Sequence, residues 1–309
     1  MPKKIIGILG GGKWGTVLGQ KLSQTYQVQL YSRDLKSTDY KRIGDVEYFK
    51  DFSALQGSDL LMMAVPSFAI REVATKFTPF YSGQSVIGVA KGIEKETGFL
   101  PSQIIKEIWP AAQYAHLSGP SFAAEVSQDL PVVVSLAMAD LKQKENFQEI
   151  INLKDFKIEL TEDLIGVQLG GALKNVIAIA SGLSDGLGLG ESFRAALILA
   201  GLKDMISLGK VLGAKEETFL GFSGLGDLIL TATSSQSRNY RLGKAISQNV
   251  KLKDRLAGNT FEGIITACEA YALSQKFNLR LPVIEGVYRV ICQNQNPAKV
   301  FKEIQNELC

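Results

Sequence analysis

Along the first half of the chain, short apolar runs bounded by turn residues recur at Lys4–Leu9, Gln27–Tyr31, Leu60–Val65, Ser85–Ala90, Tyr114–Ser118, Val132–Ala137 and Phe156–Leu160. Each is as long as a buried strand and too short for a helix of ordinary length. Helix-spaced stretches such as Phe68–Phe77 and Leu100–Ile108 lie between several of them. Strands alternating with helices in this way predict a doubly wound, mostly parallel sheet. After Leu160 the strand pattern nearly vanishes. A helical period takes over in 163–183, 192–212, 261–277, 282–292 and 297–308, with Gly182–Gly190 read as a loop. The pattern therefore predicts an α/β domain over 1–160 and an all-α domain over 161–309.

The first strand runs straight into Gly10-Gly11-Gly12-Lys13-Trp14-Gly15 and then into a helical pattern. Gly10, Gly12 and Gly15 have the G-x-G-x-x-G spacing of a Rossmann-like dinucleotide site. The first allows a tight turn, the second lets backbone approach a pyrophosphate, and the third allows close helix–strand contact. The amides that open the helix then face the phosphates. An acidic residue at the end of the second strand would select NAD through the ribose hydroxyls. This chain reads Ser32-Arg33-Asp34 there. Ser32 and Arg33 suit a 2′-phosphate, so NADP is favoured over NAD, and dual use stays open. Ligands in such sheets bind at the carboxyl ends of strands. That rule picks out Lys91-Gly92 and Gly119-Pro120-Ser121, with Lys91 directly following its strand.

Charge is the most uneven feature of the second half. From Leu164 to Ser184 the only charged residue is Lys174, and from Thr218 to Ser237 it is Asp227. A lone charge in apolar surroundings costs several kcal/mol unless it is paired or neutralised. A buried lysine of tunable pKa is also a general acid or base. One isolated cation and one isolated anion are candidates for one site. The alternative is a lysine snorkelling to solvent and an aspartate capping a turn. The polar segment Thr231–Arg241 gathers hydroxyls, Arg238 and Asn239 at a helix start, a combination that binds phosphate. The alternative there is an ordinary N-cap followed by a surface arginine. The single histidine, His116, lies within an apolar run and reads as structural.

Composition removes other classes. Of the 309 residues, 46% are hydrophobic and 21% charged, the balance of a water-soluble globular protein. A net charge of +3, with no basic stripe, argues against nucleic acid as partner. Cys268, Cys292 and Cys309 are odd in number and without C-x-x-C spacing. They argue against a disulfide framework or a metal site and for a reducing, cytoplasmic compartment. Residues 164–184 could cross a bilayer by length, but a central lysine costs roughly 2.5–3.5 kcal/mol there, so no membrane span is expected.

Taken together, these strings resemble the bacterial-type NAD(P)-dependent glycerol-3-phosphate dehydrogenases along nearly the whole chain. They are Gly10–Gly15 with Trp14, Ala90–Glu94, Ser118–Ala123, Gly166–Val176, Gly224–Leu228 and Ser237–Asn239. The resemblance implies interconversion of dihydroxyacetone phosphate and sn-glycerol 3-phosphate with NAD(P)H, supplying glycerol 3-phosphate for phospholipid synthesis. It implies Lys174 as proton donor and acceptor, with Lys91 and Asp227 beside the substrate and Gly119, Ser121, Ser237, Arg238 and Asn239 as further substrate contacts. Gly10, Gly12, Lys13, Trp14, Gly15, Arg33, Lys91, Ala123, Arg238 and Glu262 are implied as cofactor contacts, and a homodimer through the helical half. Two departures stand out. Residues 36–55 are shorter than the family's loop after its second strand, and Ala232 replaces a frequent cysteine. Two rival readings remain. A β-hydroxyacid dehydrogenase of the 6-phosphogluconate type would place an Asn one helical turn after the lysine, where this chain has Ala178. A cofactor-sensing regulator would need no isolated Lys and Asp.

Overall fold

Strands that are apolar along their whole length need cover on both faces, which a parallel sheet clad by helices provides. The computed structural model, which describes residues 3–33, 46–248 and 261–308, has one such sheet. Its strands are β1 (Ile5–Leu9), β2 (Gln27–Tyr31), β3 (Val46–Phe49), β4 (Leu60–Met63), β5 (Ser85–Gly88), β6 (Tyr114–Ser118), β7 (Val132–Met138) and β8 (Phe156–Thr161). They lie in the order β3-β2-β1-β4-β5-β6-β7-β8, parallel throughout except for the antiparallel β6–β7 pair. Ile6 and Ile8 stand beside Val28 and Leu30 on one side and Leu60 and Met62 on the other, and all six belong to one buried cluster. The connection reverses direction at β1, the switch point at which such sheets bind ligands.

Seven of these strands coincide with the apolar runs. β3 escapes the sequence reading because Val46-Glu47-Tyr48-Phe49 is short and mixed; edge pairing to β2 stabilises it. Two runs end early. β4 stops at Met63 and β5 stops at Gly88. Lys91 therefore does not cap a strand directly.

The chain divides into two compact units. One holds the sheet, through Ala90 and again from Pro101 to Leu164; the other holds Lys91–Leu100 and Ile165 onward. In the sheet unit α1 (Lys13–Leu22) lies against β1 and β2, and α2 (Ile70–Phe77) packs on α3 (Pro101–Ile108). The short helices α4 (Ala123–Val126) and α5 (Gln148–Ile151) complete it.

The helical unit is built on α6 (Leu164–Gly186), buried without a break from Gly166 to Ser184. A helix apolar all round must be surrounded by others. Around it stand α7 (Glu191–Val211), α8 (Glu216–Leu220), α9 (Asp227–Thr233), α10 (Arg238–Ser247), α11 (Glu262–Lys276), α12 (Pro282–Ile291) and α13 (Pro297–Leu308). Among the described residues α6 is the one helix long and apolar enough to cross a membrane, but 89% of its most apolar window is buried inside the protein, as befits a core helix. It also runs further than expected. Residues 182–186 are helical, so the loop read at Gly182–Gly190 shrinks to its last few residues. Gly182 and Gly186, lacking side chains, let α10 approach closely: a Cβ on Gly182 would lie 2.0 Å from the Tyr240 carbonyl oxygen.

Two tethers fix α12. Asp204, from the middle of α7, accepts hydrogen bonds from the Val283 and Ile284 amides (2.8 and 3.1 Å), satisfying donors that the helix start leaves free. Burial pushes the Asp204 carboxyl up to about 7, against the pull of those two N–H groups. At the other end Cys292 is joined to Cys268 of α11 by a disulfide. This overturns the expectation that the cysteines form none: spacing along the chain does not register two thiols that the α11–α12 pairing places side by side.

Candidate active site

The isolated charges of the sequence meet within the helical unit. Lys174 lies in the middle of α6, 6% exposed, and Asp227 is fully buried. Asp227 opens α9 directly after a π-helical turn, Phe222–Gly226. That turn fits against α6 because Gly170 has no side chain: a Cβ there would lie 2.4 Å from the Ser223 carbonyl oxygen. The Lys174 ammonium donates to one carboxylate oxygen of Asp227, and the Lys91 ammonium donates to the other at 2.7 Å. Two cations thus share one anion, leaving a net positive charge where an oxyanion would be stabilised.

Electrostatics at Lys174 are finely opposed. Burial lowers its pKa most, Asp227 raises it, and the Lys91 ammonium lowers it again, bringing it down to about 7 from 10.5. An amine poised near neutrality both gives and takes a proton readily.

A second layer of bonds orders this trio. Asn175, next to Lys174, donates to the Lys91 carbonyl (3.3 Å) and accepts from the Asn239 amide (2.9 Å). Thr231, one turn after Asp227 on α9, donates weakly to its carboxylate at 3.4 Å. Asn175 was not read as a site residue, and Thr231 was read only within the polar segment Thr231–Arg241, not as a partner of Asp227. The available signals were a polar residue beside Lys174 in an apolar run and the i, i+4 spacing of Asp227 and Thr231. Shortly after Lys91 the chain makes a tight turn, closed between Glu94 and Phe99, in which Gly98 and Glu96 adopt left-handed backbone, φ +69° and +73°.

Other expected residues of this unit take simpler positions. Ser237 is buried and caps α10, accepting from the Tyr240 amide at 3.2 Å. Arg238, exposed, is the first residue of that helix, and half-buried Glu262 is the first of α11.

The sheet unit carries the remaining ones. Gly10 has φ +129° and lies so close to the Ala64 backbone that a Cβ would be 2.6 Å from it. A Cβ on Gly15 would strike the Gly10 carbonyl at 2.1 Å, whereas one on Gly12 would meet nothing within 4 Å. The loop is therefore closed behind and open in front. The first turn of α1, with no side-chain cap, presents its amides there. Such a cradle fits a pyrophosphate. Lys13 and Trp14 open α1, Lys13 exposed and Trp14 half-buried. Ser32 is buried beside Gly11, whose Cβ would lie 2.5 Å from it, and Arg33 is exposed; Asp34 lies outside the described residues. Gly119 has φ +152°, the Ser121 hydroxyl donates back to its carbonyl at 3.1 Å, and Ala123 opens α4. His116 is wholly buried in β6, its Nδ1 within 2.9 Å of the Tyr114 hydroxyl. Among the described residues no group of three or more His, Cys, Asp or Glu is placed to hold a metal ion.

Two family models match the chain: the N-terminus of NAD-dependent glycerol-3-phosphate dehydrogenase over residues 41–144, and its C-terminus over 163–302. The chain belongs to this family. It is 37% identical to the glycerol-3-phosphate dehydrogenase [NAD(P)+] of Syntrophotalea carbinolica, an alignment covering 97% of this chain and 96% of that one. It is also 37% identical to the Clostridium tetani enzyme of the same name, over 96% and 90% of the two chains. The crystal structure of glycerol-3-phosphate dehydrogenase from Coxiella burnetii superposes with a TM-score of 0.92 at 34% identity, covering 98% of this chain and 99% of that one. Membership makes the chain a nicotinamide-dependent oxidoreductase on a Rossmann-like sheet with a helical second domain, and sets aside both rival readings.

Proposed function

We propose that this protein interconverts dihydroxyacetone phosphate and sn-glycerol 3-phosphate, with Lys174 as the group that gives and takes the proton. The observation that carries the reading is the buried Lys174–Asp227–Lys91 trio in a chain of this family. Ketone reduction needs a hydride at carbon and a proton at oxygen, and NAD(P)H when bound supplies the hydride. The Lys174 ammonium hydrogen-bonds the carbonyl oxygen, stabilises the charge that develops on it and transfers its proton. Asp227 holds the ammonium in place. Lys91 adds a second positive charge facing the same carboxylate and limits how far Asp227 raises the pKa of Lys174. In the reverse direction neutral Lys174 removes the proton from the alcohol.

Arg238 and Asn239, with Ser237, Gly119 and Ser121, are read as the phosphate and hydroxyl contacts. Gly10, Gly12, Lys13, Trp14, Gly15, Arg33, Ala123 and Glu262, together with Lys91 and Arg238, are read as cofactor contacts. Ser32 and Arg33 favour NADP, whose 2′-phosphate an arginine pairs with. A cytoplasmic homodimer feeding phospholipid synthesis completes the reading.

The test is absorbance at the nicotinamide band with dihydroxyacetone phosphate and each cofactor in turn. Lys174→Ala should lower kcat by roughly 10²–10⁴, the range of general acid–base groups. An unchanged kcat would remove Lys174 from the mechanism, and a strong preference for NADH would overturn the role given to Arg33.

A further inference from the structure

The disulfide lies on a helix that backs the Lys174 site within the helical unit. Near its start, Gly263 of α11 abuts Asn239 so closely that a Cβ would lie 2.6 Å from the Asn239 side-chain oxygen. Asn239 in turn orders Asn175, which bonds the Lys91 carbonyl. Three turns on, Leu273 of α11 packs on Gly98, in the Lys91–Leu100 segment that belongs to the same unit, where a Cβ would be 3.4 Å away. Cys268 lies between these two contacts. Its partner Cys292 caps the end of α12, whose start is pinned by Asp204. The disulfide thus ties a helix that backs the site to a helix anchored elsewhere.

The bond is also open to attack. Cys292 is exposed and Cys268 half-buried, and exposed disulfides are the labile ones. We propose that Cys268–Cys292 is a reducible staple by which dithiol reductants loosen α11 and weaken the site. A dithiol thiolate attacks the accessible Cys292 sulfur, forming a mixed disulfide and releasing Cys268 as a thiolate that takes up a proton. The second thiolate of the reagent attacks its own mixed sulfur, releasing Cys292, which is protonated in turn. The protein disulfide gains two electrons and the reagent leaves as its cyclic disulfide. The Tyr271–Tyr288 ring stack, with centroids 3.9 Å apart, still joins α11 to α12, so reduction loosens the pair without unfolding it.

The inference rests on the site assigned above. The test uses the full-length enzyme, oxidised and then treated with dithiothreitol, with free thiols counted by alkylation and mass. Reduction should lower kcat/KM for dihydroxyacetone phosphate about fivefold at 25 °C, within the usual range of coupling between sites. It should lower the melting temperature by on the order of 5 °C, as expected when a closed loop is opened. Reoxidation should restore both. Cys268→Ser with Cys292→Ser should hold the reduced level whatever the reagent, whereas Cys309→Ser should respond like the parent. Equal kcat/KM in the two redox states, a disulfide that never forms, or a bond that dithiothreitol leaves intact would each overturn the proposal. The reversible change in the unsubstituted enzyme decides the matter even if the double variant fails to fold. Lys174→Ala, measured in both states, separates the two readings: activity surviving in it refutes the site, while redox response of the parent enzyme concerns the staple alone.

Discussion

Replacing Asp227 by Asn keeps the shape of the site and deletes the charge that holds two ammonium groups. At the 2.7 Å separation of Lys91 and Asp227, one such attraction is about 6 kcal/mol at an effective dielectric of 20. If side-chain relaxation and the remaining amide oxygen recover half of it, the Lys174 ammonium loses roughly 3 kcal/mol of stabilisation. Lys174 begins at about 7 and should titrate well below that in the variant, since the one influence raising its pKa is gone while burial and Lys91 still lower it. Ketone reduction requires the ammonium. At pH 7.5 kcat/KM for dihydroxyacetone phosphate should therefore fall roughly a hundredfold, as a loss of about 3 kcal/mol gives, and recover as the pH is lowered. In the oxidation direction, which requires the free amine, the variant should stay active to lower pH than the parent. The assay is the nicotinamide absorbance between pH 5 and 9, with circular dichroism checking the fold. An Asp227→Asn profile that keeps its midpoint near 7 would refute the electrostatic account of this site.

Arg238→Ala should cost roughly 1.5–3 kcal/mol in kcat/KM for dihydroxyacetone phosphate, the value of a charge-assisted hydrogen bond, and far less for unphosphorylated dihydroxyacetone; equal losses on both would exclude phosphate contact. Asp204→Ala strands two buried amides at the start of α12 and should destabilise the fold by roughly 2–4 kcal/mol in urea unfolding. Because Asp204 titrates at about 7 when folded against an ordinary 3.8, the folded state binds its proton more tightly, and this group makes stability fall as pH rises from about 4 to 7. Asp204→Asn should remove that slope, which urea midpoints at pH 4.5 and 7.5 would show.

What could be read from the chain follows from local physics. Apolar runs of strand length marked seven of eight strands, and the spacing of Gly10, Gly12 and Gly15 placed the cradle, because backbone sterics there act within a few residues. Lone charges in apolar segments marked Lys174 and Asp227, since a buried ion demands a partner wherever that partner comes from. The sequence did not set out the order of the partnership. That Lys91 joins the helical unit and shares Asp227 with Lys174 depends on contacts 136 and 53 residues apart. Asn175 and Thr231 became legible only once those contacts existed, for a single amide or hydroxyl carries no signal until something stands opposite it. The cysteines show the same limit in reverse. Their count and spacing argued for free thiols, yet α11 and α12, paired through their apolar faces, bring positions 24 residues apart within bonding reach. Residue chemistry along the chain determined which groups needed partners; the packing of α6 against the π-helical turn and of α11 against α12 decided which partners they received.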